Sequence, residues 1–146
     1  MKGGYMSVPR RNVLFALNMI FPLICGLIIY VTKAENSYVS DVFCGLRSTI
    51  KPIDYPPLIR NHACDFLWAY AMFFCFRLTL GDKLKGKHEV TVIAVTCTVA
   101  IILELIQLLD SIHGTFDPLD IAVELLAAFV ALFITQILER RFKNEE

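Results

Sequence analysis

Glu104 and Gln107 stand three residues apart in an otherwise apolar stretch, so on a helix they share one face, which continues to Ser111. Asp117, Asp120 and Glu124 follow at i, i+3 and i+7, again one face of a helix. Asn61, His62 and Asp65 form a third polar group at the head of another apolar run. The connecting stretch from Asp110 to Asp120 adds His113 and contains no Lys or Arg. Carboxylates gathered in this way can bind a divalent cation through hard oxygen ligands. They can equally take up or pass on a proton, or grip the polar or cationic head group of a lipid. No Ser or Cys sits in a recognisable nucleophile setting and no His cluster has metal-ligand spacing, so no resident metal or cofactor is expected.

Part of the pattern also has a purely structural explanation. Asp117-Pro118-Leu119-Asp120 reads as an N-cap, a proline at the first helical position and an acid at the third, a good helix start that needs no ligand. Asp120 there also favours the positive end of the helix dipole. Asn61 can cap the helix that holds Asp65 in its first turn, and His62 and His113 read as solvated loop residues. Glu104 and Gln107 lack such an explanation, because an acid near a helix C-terminus meets the negative end of the dipole. For them interhelical glue and a functional site remain the two alternatives.

The elements that must carry these residues are membrane spans. The 146 residues are 56% hydrophobic and 19% charged, and Lys+Arg and Asp+Glu balance at 14 each. Such a neutral, apolar composition speaks against a nucleic-acid-binding protein and against disorder. A hydrocarbon layer about 30 Å thick needs roughly 17–25 apolar helical residues. Four segments meet that length: Val13–Val31, Ala63–Leu80, Val90–Leu109 and Ile121–Leu138. None has the broad polar face of a helix on a soluble bundle. The expected fold is an all-α integral membrane bundle of four transmembrane helices, one membrane domain over residues 1–146.

Basic residues set the expected topology. Lys2, Arg10 and Arg11 precede the first span, Lys83, Lys85 and Lys87 lie between the second and third, and Arg140, Arg141 and Lys143 follow the fourth. Only Lys33, Arg47, Lys51 and Arg60 fall on the other side, which places both termini in the cytoplasm. Arg77 is then expected to snorkel inward, and Trp68 and Tyr70 to form part of an outer aromatic belt. The first span is longer than a secretory apolar region and is expected to stay as an anchor, kinked at Pro22. The external loop, about residues 32–61, has apolar residues Val39, Val42, Phe43, Leu46 and Ile50 at helical spacing. They suit either a short interfacial helix or a loop packed over the bundle. Cys25, Cys75 and Cys97 read as apolar filler, whereas Cys44 and Cys64 could form a disulfide on the outer side.

Three motifs in order resemble the VanZ-like family of small membrane proteins. They are Arg60-Asn61-His62-Ala63-Cys64-Asp65-Phe66-Leu67-Trp68-Ala69-Tyr70, then Glu104-x-x-Gln107, then Gly114-Thr115-Phe116-Asp117-x-x-Asp120-Ile121. Glu124 stands where that family usually carries Asn, and Ala127 and Ala128 where it carries glycines. The resemblance implies a polytopic protein of the bacterial plasma membrane and cell envelope, a family whose name-giving member confers resistance to the glycopeptide teicoplanin. With Asp65, Glu104, Gln107, Asp117, Asp120 and Glu124 near one membrane level, the expected function is binding of a lipid-linked or glycopeptide-like ligand at an outward acidic site. The expected partners are membrane lipids and that ligand, not nucleic acid. A membrane enzyme acting on a lipid or polyprenyl head group and a small transporter are the alternatives. Their discriminating assays are metal-dependent turnover and pH-dependent flux.

Overall fold

The computed structural model describes residues 8–34, 42, 45, 48–80, 88–108 and 116–144. Four helices, each long and apolar enough to cross a membrane, account for nearly all of them. They are α1 (Val8–Thr32), α2 (Pro57–Leu80), α3 (His88–Ile106) and α4 (Pro118–Asn144). The shortest has 19 residues, about 28 Å at 1.5 Å per residue, close to the apolar thickness of a bilayer. Among the described residues the β-structure is confined to one bridge between Lys33 and Ile53.

The distribution of side chains is that of a bundle in lipid. Phe21, Phe133, Leu126 and Phe129 point outward, with Phe21 69% exposed, whereas Glu104, Glu124, Arg77, Thr96 and Thr135 are buried. A water-soluble bundle would reverse that order, since lipid accepts apolar surface and penalises unpaired polar groups. α2 is the central element. It packs against all three other helices, while α1 leans on α2 and barely touches α4. Phe15, Phe73, Phe74, Val92 and Ala131 form the core, with the Phe15 and Phe74 ring centroids 5.7 Å apart. Ala69, Ala71, Ala100, Ala127, Ala128 and Ala131 are fully or almost fully buried. Small residues let helices approach closely where no hydrophobic effect drives them together, so Ala127 and Ala128 serve the close-packing role expected of that face.

Several polar groups away from the acidic residues are paired within the bundle. Arg77 is 4% exposed; it donates to Glu139 of α4 and lies over the Phe15 ring, 5.6 Å from the centroid. Arg77, in the last turn of α2, thus has an ion-pair partner inside the bundle, while its Nε is buried without a hydrogen-bond partner. Gln136 donates to Glu89 of α3 at 3.0 Å. Tyr70 donates to Asn18 Oδ1 at 2.7 Å, and Asn18 Nδ2 donates to Leu14 O at 2.9 Å.

Helix boundaries differ from the sequence expectation in ways that matter. α2 begins at Pro57, six residues before the expected start, because proline suits the first helical position. Trp68 consequently falls midway along α2 and Tyr70 turns inward to Asn18, so the expected aromatic belt does not form from these two. Asn61 lies inside α2 and is not its cap. α1 continues through Pro22 to Thr32. In the loop, Val42 and Gly45 are helical; the other residues of the expected interfacial helix, apart from Ile50, lie outside the described residues, as do Cys44, Ser111, His113 and Lys83, Lys85 and Lys87. Cys64 carries a free thiol that donates to Gly26 O at 3.7 Å.

The Arg77–Glu139 pair gives a test of the bundle. Side-chain exposure is 3% for Arg77 and 26% for Glu139, so removing Glu139 strands the more deeply buried charge. Glu139→Ala is expected to cost about 3 kcal/mol or more and Arg77→Met distinctly less, measured by unfolding in mixed micelles. Equal losses would contradict the asymmetry.

Candidate functional site

The acidic residues come together at the end of the bundle formed by the C-termini of α1 and α3 and the N-termini of α2 and α4. The lengthened α2 is what builds this end. With its start at Pro57, His62 and Asp65 are both in the second and third turns, three residues apart and therefore on one face. Asp65 lies eight residues inside α2, about 12 Å from its first residue. Glu124 lies six residues inside α4, about 9 Å. Glu104 is in the last turn of α3, which ends at Ile106 and not at Leu109. Counted along its own helix, Asp65 thus lies farthest from a helix end and Glu104 nearest to one.

The charges of Asp65, Glu104, Asp120 and Glu124 act on one another across three helices. Glu104 is 4% exposed and Glu124 3%, so neither faces lipid. Gln107, in the turn that follows α3, donates from Nε2 to Glu104 Oε1 at 2.7 Å. Its backbone N–H donates to Glu104 O at 3.1 Å, tightening the helix end. The second carboxyl oxygens, Glu104 Oε2 and Glu124 Oε2, are buried without a hydrogen-bond partner. A carboxyl oxygen left unpaired in a low-dielectric interior is costly; Arg77 Nε and Thr135 Oγ1 are also buried without a partner, but only here do two such atoms belong to acids set among further acids.

His62 corrects the sequence reading most sharply. Expected as a solvated loop residue, it is 9% exposed, and its Nδ1 donates to Asp120 Oδ1 at 2.6 Å. The carboxylate is 16% exposed as a side chain, so this contact is shielded and links the start of α2 to that of α4. The signal that would have found it is Pro57 as a helix opener, which puts His62 and Asp65 on the same face. Asp117 does cap α4 as expected: its Oδ1 accepts the Leu119 N–H at 2.9 Å. It nevertheless also belongs to the cluster, because one ligand atom each from His62, Asp117 and Asp120 lie within 4.8 Å of one another. Capping and cluster membership are compatible, since a carboxylate has two oxygens.

The surroundings close this end. Tyr30 of α1 is near Cys64, Asp65 and Asp120, and Lys33 Nζ lies over the Tyr30 ring, 4.6 Å from its centroid. Thr32 Oγ1 shares a 2.8 Å hydrogen bond with Tyr55 Oη, and the Ile53 N–H donates to Thr32 O at 2.7 Å. The loop is thereby pinned to α1 just before α2 begins. Farther down, an open cleft of about 440 Å³ between α1 and α2 is walled by Leu17, Phe21, Pro22, Phe66 and Leu67, with Asn18 and Tyr70. It is apolar and begins one residue past Asp65 in sequence.

No family model, no curated protein and no solved structure matches this chain.

Acids held this way oppose folding. Replacing Glu124 by Gln keeps the shape while removing one acid from the cluster, so Glu124→Gln is expected to raise stability by about 1 kcal/mol, measured by thermal unfolding in detergent. A loss of stability would show that Glu124 is structural glue.

Proposed function

We propose that the chain is a VanZ-like protein of the bacterial plasma membrane, with both termini cytoplasmic and its acidic end facing outward. In this reading the acidic end binds the polar head of a lipid-linked or glycopeptide-like ligand and contributes to teicoplanin resistance by altering access at the cell surface. The observation that carries it is the pair of buried, unpartnered oxygens, Glu104 Oε2 and Glu124 Oε2, within a cluster drawn from three spans. A structural role alone gives no reason to hold them there, because lipid-embedded polar groups are normally paired. The apolar cleft between α1 and α2 supports an amphipathic ligand, with room for an acyl chain beside the acidic end. The resemblance of the motifs around Asp65, Glu104-x-x-Gln107 and Asp117-x-x-Asp120 supplies the family and the antibiotic.

A second reading rests on the His62–Asp120 hydrogen bond. A histidine oriented by a carboxylate is the arrangement of a general base, which fits an enzyme acting on a polyprenyl or other lipid head group. Turnover of such a lipid by purified protein, abolished in His62→Gln, would favour it.

The two readings separate in cells. In a glycopeptide-sensitive Gram-positive host, expression is expected to raise teicoplanin tolerance. Glu104→Ala and Asp120→Ala are expected to lower that gain roughly tenfold at equal membrane abundance, the effect of losing one charged hydrogen bond. Tolerance that does not respond to the wild-type protein, correctly inserted, would overturn the envelope role.

A further inference from the structure

The composition of the cluster, more than its charge, narrows what it holds. Lys and Arg ligands would suit an anion and carboxylates alone would suit Ca²⁺ or Mg²⁺, whereas one imidazole with two carboxylates suits first-row divalent ions. His62, Asp117 and Asp120 each present a ligand atom, all within 4.8 Å of one another. Ligand atoms around an ion with bonds of about 2.0–2.2 Å stand roughly 3–4 Å apart, so an ion would part His62 from Asp120, now 2.6 Å apart, and take the place of their hydrogen bond. Two of the three sit on the first turn and cap of α4 and the third on α2, positions that rigid helices fix. Independent of this triad, Glu104 Oε2 and Glu124 Oε2 are more than nine-tenths buried and have no partner. Glu104 acts electrostatically on both Asp120 and Asp117, and Glu124 on Asp120. Unsatisfied carboxyl oxygens in the same cluster as an imidazole–carboxylate triad are what a positive ion would offset.

We infer that His62, Asp117 and Asp120 bind a divalent first-row metal ion, Zn²⁺ or Mn²⁺, at the acidic end of the bundle. Glu104 and Glu124 add negative charge to the cluster, which raises the affinity for the ion. Three protein ligands leave at least one coordination position open. An oxygen of a head group, a phosphate or carboxylate that the bare acids would repel, fills it. The inference deepens the head-group site proposed above and rests on that reading only for what occupies the open position; the metal triad stands on its own geometry.

The test uses the full chain purified in detergent, stripped with a chelator, and titrated with Zn²⁺ and Mn²⁺, with Ca²⁺ and Mg²⁺ for comparison. One Zn²⁺ or Mn²⁺ per chain is expected, with Co²⁺ giving the visible absorption of a site containing nitrogen. Asp117→Asn is the informative variant, because asparagine caps a helix as well as aspartate does. It is expected to leave the metal-free melting temperature unchanged while weakening metal binding roughly tenfold or more, and His62→Gln to weaken it similarly. Asp54→Asn, at a side chain that is 89% exposed, is expected to change nothing. Absence of saturable uptake by folded protein, or uptake indifferent to both Asp117→Asn and His62→Gln, overturns the inference. The two proposals fail separately. Teicoplanin tolerance that needs Glu104 and Asp120 in a protein taking up no metal sinks this one alone; metal uptake without any effect on tolerance sinks the envelope role alone.

Discussion

Within a bilayer a polar side chain can be satisfied only by another part of the protein, and that constraint orders the whole bundle. The two ends meet it in opposite ways. At one end groups of complementary character meet, Arg77 with Glu139 and Glu89 with Gln136, although Arg77 Nε stays buried without a partner. At the other, acids are set against acids, and two buried oxygens are left over. Both ends are built from the same helices and packed by the same alanine and phenylalanine contacts. The difference is therefore one of side-chain choice, not of architecture. Natural sequences tolerate such local conflict chiefly where function demands it, and this contrast within one molecule is stronger support than any single buried acid.

The central place of α2 follows from the same constraint. It contributes His62, Tyr70 and Arg77, and these reach α4, α1 and α4 again at successive levels of the bundle. α1, by contrast, exposes most of its apolar surface, including Val13, Leu17, Phe21 and Ile28. Its polar ties to α2 include Asn18 with Tyr70 and Gly26 O with the Cys64 thiol, and Thr32 ties it to the loop. The site is thus a property of α2, α3 and α4, with α1 supplying Tyr30 and the anchor for the loop.

Four spans could be read directly from the sequence, because the length of an apolar run is a one-dimensional quantity. The cap at Asp117 was equally legible, being set by neighbours in sequence. Partners across helices were not. Nothing in the run around Arg77 announces Glu139, 62 residues away, so the sequence allowed only the generic expectation of snorkelling. His62 was missed for a different reason. Its role depends on where α2 starts, and placing that start at Ala63 instead of Pro57 moved it from a helix face into a loop. An error of six residues at one boundary removed the one nitrogen ligand from the site.

The hydrogen bond between His62 and Asp120 joins residues 58 positions apart, on the second and last helices. During synthesis the first of these helices emerges well before the other. Until the final span has been threaded, the imidazole has no carboxylate to orient it, and Asp65 and Glu104 face each other without the remaining members. Assembly of the constellation therefore waits on α4: a chain arrested at three spans carries half of it.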